Sequence, residues 1–326
     1  MGVLRVVLIG AGRVAERHAE SYSANPEAQV VAVVDPLLER AEALAARVGA
    51  TAHATFEDVL ASGTIEAASV CVPHNLHLDV ARSAARAGVH LLMEKPIANT
   101  LEEADEMIAA VDEAGVTMMI GFVHRFRTEV LEAKQLLEQG ALGPPATAID
   151  KFCSLGGPHP PAWVWRKEQA GGGVLMYGGI HAIDRLLWLL GSHVVEVHAR
   201  SHNYTGYGDV EDGLVGLLEF SSGASAVLFE NSPPYGRPGG WSTEVFGPEG
   251  ALRIQTGEWI ELTAASGGFR HGAEDDLHFQ REIDEFVAAV REGREPSVPA
   301  AAGRAALEVA LALYESAARG MPVALS

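Results

Sequence analysis

The residues best suited to do chemistry crowd one short stretch, GGGVLMYGGIHAID, at residues 171–184. Tyr177, His181 and Asp184, with Trp188 just beyond, are spaced i, i+4, i+7 and i+11, so a regular helix over residues 175–190 lets all four act on one volume. A proton carrier works best with a pKa near the working pH. Free imidazole at about 6.5 meets that condition and free phenol at about 10 does not, so His181 is the better base. Neutral Tyr177 can only hydrogen-bond, whereas a carboxylate in its place would raise the histidine's pKa. Tyr177 therefore has three readings: a hydrogen-bonder to substrate, a proton carrier activated by a nearby cation, or a packing residue. Asp184 either orients His181 or a substrate hydroxyl, or is an ordinary helix charge. Gly178 and Gly179 inside the helix cost about 1 kcal/mol each relative to alanine, so a bound ring, a substrate or a neighbouring strand must need the close approach they permit.

A second group is built on glycine. Gly10, Gly12 and Ala15 in VLIGAGRVA, with Arg13 and Val14 between them, fit G-x-G-x-x-G/A, a turn that brings backbone amides to a pyrophosphate at a helix N-terminus. Asp35 closes the apolar run VVAVVD a little over about 20 residues later, where a carboxylate accepts hydrogen bonds from an adenosine ribose and repels a 2'-phosphate. Pro36 and Leu37 supply no compensating cation, so the pattern predicts NAD rather than NADP; Arg13 and Arg40 are the residues that could reverse that preference. Two later stretches, VPHNLH with Pro73, Asn75 and His77, and MEKPIANT with Glu94 and Lys95, follow strand-like runs and should face the same crevice.

Elements of two kinds are needed to hold these groups. Through residue 122, short β-branched runs alternate with amphipathic stretches of 10 to 15 residues, which predicts a doubly wound parallel α/β sheet over residues 1–122. Residues 123–326 read as an α+β domain for substrate binding and oligomerisation. It has a helix near 125–139, an open, mainly antiparallel sheet near 194–263 and two closing helices, the last free to pack back on the first domain. Such a sheet leaves a broad apolar face, so a homo-oligomer, dimer or tetramer, is expected through it.

Composition sets the outer limits. The chain has 326 residues, 48% hydrophobic and 21% charged, enough for two cores. With 24 Lys+Arg against 43 Asp+Glu its formal charge is −19, which repels nucleic acid. No signal peptide is read at the N-terminus, and no apolar run reaches the ~18 residues of a membrane span. Cys71 and Cys153 are too few for a disulfide framework or a metal site, so no metal and a cytoplasmic setting are expected.

Taken in order, GAGRVAERHA, VPHNLHLDVA, LMEKPIANT, GFVHRF, GALGPP, WVWRKE, GGGVLMYGGIHAID and the C-terminal stretch ending ALYESAARGMPV resemble the Gfo/Idh/MocA family along nearly the whole chain. This is the family of glucose-fructose oxidoreductases and inositol dehydrogenases. The resemblance implies a Rossmann domain binding NAD(P) and an open-sheet domain carrying substrate. It also implies hydride transfer between nicotinamide C4 and a hydroxyl-bearing carbon of a sugar, inositol or related polyol. Lys95 matches the lysine that touches nicotinamide ribose and reacting hydroxyl, and His181 the acid/base histidine. Asn75, His77 and Glu94 match cofactor-side positions, and Trp165 and Arg166 a pair near nicotinamide and substrate. His124, Arg125, Trp163, Tyr235 and Trp241 offer rings and charges suited to a polyol, each equally readable as structural, and Arg125 has the alternative of pairing with a carboxylate. The departure is Tyr177, since many members carry Asp four residues before the histidine. It keeps two rivals open: an NAD-retaining glycosidase or epimerase with no net redox, and a non-catalytic NAD or sugar sensor.

Overall fold

The computed structural model describes residues 2–63, 65–153, 161–232, 240–265 and 267–325, and the elements below are those of the described residues. The chain divides into two compact units, residues 1–123 with Leu277–Arg304, and His124–Asp276 with Ala305–Ser326.

In the first unit, β1 (Leu4–Ile9), β2 (Ala28–Val34), β3 (Thr51–His53), β4 (Ala67–Val70), β5 (His90–Met93) and β6 (Met118–Ile120) form a sheet in the order β3-β2-β1-β4-β5-β6. All its pairings are parallel. Val6, Val7, Leu8, Leu91 and Leu92 are wholly buried, as strands covered on both faces must be. The intervening helices are α1 (Arg13–Ala24), α2 (Leu38–Val48), α3 (Phe56–Leu60), α4 (His77–Arg86) and α5 (Leu101–Ala114). Thr100 caps α5, accepting the Glu103 N–H, while the Glu103 carboxylate accepts the Asn99 N–H. Because the strands run one way, the residues that follow β1, β2, β4 and β5 share one edge of the sheet. Gly10, Asp35, Cys71, Glu94 and Lys95 are those residues. A cavity of about 550 Å³ lined by Leu4, Glu66, His90 and Arg291 opens at the opposite, amino-terminal edge.

The second unit carries α6 (Thr128–Glu138), β7 (Thr147–Cys153), α7 (Lys167–Ala170), a π-helical turn (Leu175–Gly179) and α8 (Ile180–Leu190). Then come β8 (Val194–His202), β9 (Gly213–Phe220), β10 (Ser225–Asn231), β11 (Gly240–Gly247), β12 (Gly250–Gln255), β13 (Trp259–Ala264) and β14 (Gly267–Gly272). After α9 (His278–Glu292), which belongs to the first unit, and α10 (Ala300–Arg319), the short β15 (Val323–Ala324) completes a sheet ordered β14-β13-β12-β11-β7-β10-β9-β8-β15. Within this second sheet only the β7–β10 pairing is parallel among the described strands. Residues alternate between buried and exposed along β7, β9 and β10. Val227 lies in register between Ile149 and Leu217, and all three are exposed, forming an apolar row across three strands.

Candidate functional site

The glycine turn of the first unit has two glycines with different reasons to be there. Gly10 has φ +97°, and a Cβ on it would lie 2.3 Å from the Cys71 carbonyl oxygen. Gly12 is the N-cap of α1 with ordinary φ −87°, no side-chain cap, and nothing within 4 Å of where its Cβ would be. An uncapped helix start with open space before it is what an anionic pyrophosphate requires. Arg13 is exposed beside it, Val14 is half-buried and Ala15 wholly buried beneath the turn. Asp35 accepts the Ala11 N–H at 3.0 Å and the Leu37 N–H at 2.9 Å, one on each oxygen, which ties β2 to the turn and leaves each oxygen a further lone pair.

Beside the turn, Pro73 leads into a 3₁₀ turn (His74–Leu76) that exposes Asn75. His77 departs from expectation. It is wholly buried, with Nδ1 3.0 Å and 3.2 Å from the Pro96 and Ile97 carbonyls and Nε2 3.2 Å from that of Val72. Its ring clamps two loops together, and burial pulls its pKa down. It is a strut, not a cofactor ligand. Glu94 is corrected likewise: its carboxylate faces inward, Oε2 accepting the Lys95 N–H at 3.2 Å and Oε1 lying 3.4 Å from His18 Nε2. Burial alone would raise its pKa, but His18 and Lys95 more than offset that and leave it lowered. Lys95 is half-buried, and burial pulls its ammonium pKa down against the opposing charge of Glu94.

In the second unit the expected face divides. Residues 175–179 form a π turn, wider than an α turn, so Tyr177 and His181 do not follow one regular α-helical register. The glycines are explained by packing: a Cβ on Gly178 would meet the Phe152 ring at 3.1 Å, and one on Gly179 the Glu230 Cγ at 2.8 Å. Glu211 anchors the helix start, accepting the Gly173 and Leu175 N–H groups at 2.8 Å and 3.0 Å. His181, 7% exposed, lies face to face on His124, ring centroids 4.3 Å apart at 13°. Arg185 is wholly buried and donates to His124 Nδ1 at 2.7 Å and to the Thr243 and Thr256 hydroxyls at 2.8 Å and 2.9 Å. A guanidinium is always a donor, so His124 Nδ1 carries no proton, and the His124 ring is the plate on which His181 rests. Asp184 is corrected too. Both of its oxygens are taken by Arg125, Oδ2 by Nε at 2.9 Å and Oδ1 by Nη2 at 2.5 Å, and the guanidinium lies 5.3 Å from the Trp188 ring centre. Asp184 is not aimed at His181, nor is Arg125 free for substrate. Trp163 is half-buried, Trp165 packs edge-on against Tyr207 at 5.8 Å, and Arg166 is exposed. Tyr235 lies outside the described residues. No metal-binding cluster occurs among the described residues.

Residues 4–122 match the family model described as an oxidoreductase family with an NAD-binding Rossmann fold, and residues 130–253 match the GFO/IDH/MocA C-terminal domain. The scyllo-inositol 2-dehydrogenase (NAD(+)) of Bacillus subtilis is 31% identical over 340 residues, covering 99% of this chain and 96% of the relative. The chain belongs to the Gfo/Idh/MocA oxidoreductase family. Among solved structures, GenD2 from gentamicin A biosynthesis, in complex with NAD, has TM-score 0.90 at 28% identity, covering 100% of this chain and 97% of that one. The aldose-aldose oxidoreductase from Caulobacter crescentus, complexed with glycerol, has TM-score 0.90 at 28% identity, covering 99% and 100%. As a Gfo/Idh/MocA member the protein is an oxidoreductase whose cofactor is NAD, and the glycine turn, the open N-terminus of α1 and Asp35 fit that group.

Sequence reasoning missed two residues of this Gfo/Idh/MocA chain, His18 and Glu282, both wholly buried. His18 carried a signal: Ala15, His18, Ala19 and Tyr22 make the buried stripe of α1, so a polar side chain there needed partners.

Proposed function

We propose that this protein is an NAD-dependent dehydrogenase, or a reductase in the reverse direction, acting on a ring hydroxyl of a sugar, cyclitol or related polyol. The observation that carries the reading is Lys95. It follows β5 at the carboxyl edge of a sheet ordered β3-β2-β1-β4-β5-β6, the edge that also bears the glycine turn and where dinucleotides bind in doubly wound sheets. First-turn amides of α1 beside Gly12 would hold the pyrophosphate, and Asp35 the adenosine ribose; its charge favours NAD over NADP. Bound NAD supplies the hydride acceptor. Lys95 polarises the reacting oxygen, and its lowered pKa eases proton sharing with that oxygen. His181 takes the hydroxyl proton, its ring held by His124. Tyr177 hydrogen-bonds substrate in the place where relatives carry Asp, and Asp184 with Arg125 stiffens α8 behind it.

The same reading makes the protein a homo-oligomer of the cytoplasm. The apolar row Ile149, Val227 and Leu217 supports a subunit interface, and Cys71 and Cys153, both free, support a reducing compartment. No helix among the described residues is long and apolar enough to cross a membrane.

The test is a melting-shift screen of NAD and NADP, then of sugars and inositols with the preferred cofactor, followed by NADH absorbance. NAD should raise the melting temperature and a polyol should yield NADH. Lys95→Ala and His181→Asn should each lower kcat by about 10²- to 10⁴-fold while NAD still binds. Full turnover in either variant would refute the assigned roles, and polyol conversion without NADH would replace the dehydrogenase with a redox-neutral enzyme.

A further inference from the structure

Behind Lys95 lies a cluster of ionisable groups that the chemistry above does not use. His18 Nε2 faces two carboxylates at once, Glu94 Oε1 at 3.4 Å and Glu282 Oε2 at 3.7 Å, and both His18 and Glu282 have no exposed side-chain surface. On the other side of the ring, Nδ1 lies 3.2 Å from Ser69 Oγ and 3.6 Å from Cys71 Sγ, and Ser69 Oγ is 3.1 Å from the Tyr22 hydroxyl. From α9, Phe279 tilts against the imidazole at 5.9 Å, and His278, one turn before Glu282, packs on Phe279 at 4.9 Å. Glu94 is served by the Lys95 N–H. Neither oxygen of Glu282 meets a hydrogen-bond donor.

Counting protons decides what this arrangement is. Two ionised carboxylates at 3.4 Å and 3.7 Å from one buried ring nitrogen would crowd two negative charges into a dry site, and carboxylates sharing a site do not both ionise. One proton must stay. It stays on Glu282, because Glu94 accepts the Lys95 N–H and has His18 Nε2 at 3.4 Å while neither oxygen of Glu282 meets a donor, so the anion sits where it is served and the neutral acid where it is not. Burial pushes the Glu282 carboxyl well up, and the charge of Glu94 pushes it further. Burial likewise keeps Tyr22 and Cys71 protonated, so Glu282 is the group in this cluster that titrates as the solution turns alkaline.

We propose that Glu282 is a positioning residue for Lys95: it holds a proton against His18, so that Glu94 alone presents a negative charge beside the Lys95 ammonium. The inference rests on the role proposed for Lys95. Loss of that proton sets a second anion behind Lys95, makes its ammonium a weaker acid and weakens its pull on the reacting oxygen. Activity then falls on the alkaline side.

Glu282→Gln tests this in the full chain with NAD, because the amide keeps the size and supplies a donor that does not titrate. Wild type should lose melting temperature as pH rises above the unfolded carboxyl value of about 4.3 toward the raised folded pKa of Glu282, and kcat/KM should fall on the alkaline limb as Glu282 ionises. In Glu282→Gln the melting slope should flatten and kcat/KM should change less than about twofold over the alkaline limb. A variant that keeps both wild-type dependences overturns the proposal. Should that variant not fold, infrared spectra at about pH 6, below the alkaline limb and above the ordinary carboxyl range, decide, taken in a Glu230→Gln background that removes the other donorless buried carboxyl: a protonated-carboxyl band sustains the proposal and its absence overturns it. Lys95→Ala, measured alongside, separates the two readings. Undiminished turnover there refutes the role of Lys95, whereas the melting slope and the infrared band report on the proton alone.

Discussion

Alanine at Gly10 and alanine at Gly12 should fail in different ways, and the difference measures whether the turn binds a pyrophosphate. At Gly10 the backbone sits at φ +97°, and the new Cβ would be 2.3 Å from the Cys71 carbonyl oxygen and 2.9 Å from its carbon. Strained φ costs about 1–3 kcal/mol. Relieving the overlap to ordinary contact requires β1 or the chain after β4 to move by about 1 Å, at a further ~1–3 kcal/mol. The sum, about 4 kcal/mol, lowers the melting temperature of the ligand-free protein by on the order of 10 °C. At Gly12 φ is −87° and the Cβ meets nothing within 4 Å, so ligand-free stability should stay within about 0.5 kcal/mol. That methyl group nevertheless stands where the pyrophosphate must approach the amides. Losing about two charge-assisted hydrogen bonds, near 3 kcal/mol together, weakens NADH by about 100-fold. Differential scanning fluorimetry of the ligand-free variants and titration calorimetry with NADH are the assays. If Gly12→Ala binds NADH like wild type, or melts as low as Gly10→Ala, the assignment of the turn is wrong.

The ion pair of α8 lends itself to a double-mutant cycle. With Asp184 and Arg125 side chains only 2% and 12% exposed, Asp184→Leu or Arg125→Met alone should cost about 3–5 kcal/mol in denaturant melts by stranding its partner, and the pair of substitutions much less than the sum. Strictly additive losses would show that the two do not act as a unit. Glu230 gives a pH signature. It is wholly buried without a donor, and burial, reinforced by the Asp150 charge, lifts its pKa well above the unfolded value near about 4.3. Its contribution is then intact below that value and is lost as pH rises toward the folded pKa. Glu230→Gln should melt with wild type at about pH 4 and above it at about pH 8, and equal melting at both would refute the shift.

The cofactor half was legible because its chemistry is local. A phosphate turn needs Gly10 and Gly12 within three residues, and a buried parallel strand advertises its end, which is where Asp35 and Lys95 stand. The second unit was harder because its partners are remote in sequence. Arg125 is 59 residues from Asp184 and Arg185 is 61 from His124, and nothing in either local pattern announces those pairs. Gly178 and Gly179 rightly signalled a close approach, but only the packed helix reveals that Phe152 and Glu230 make it. The π turn left no mark in sequence: one widened turn changes no residue type, yet it breaks the regular register between Tyr177 and His181.

One electrostatic arrangement recurs in both units. In the first, Lys95 is the cation, Glu94 the anion served by donors, and Glu282 a carboxyl without one. In the second, Arg185 is the cation, 3.8 Å from Asp150, whose oxygens accept from the Trp241 indole and the Thr243 hydroxyl, both at 2.6 Å, and Glu230 is the carboxyl without a donor. One cation cannot neutralise two buried carboxylates, so the carboxyl lacking donors takes the proton and the other keeps its charge. The neutral acid then fills space and excludes water without adding field. Each such acid lies one layer behind a side chain proposed to move a proton: Glu282 behind Lys95 through His18 and Glu94, and Glu230 against Gly179, two residues before His181. While each acid keeps its proton, one fewer negative charge stands behind Lys95 and behind His181.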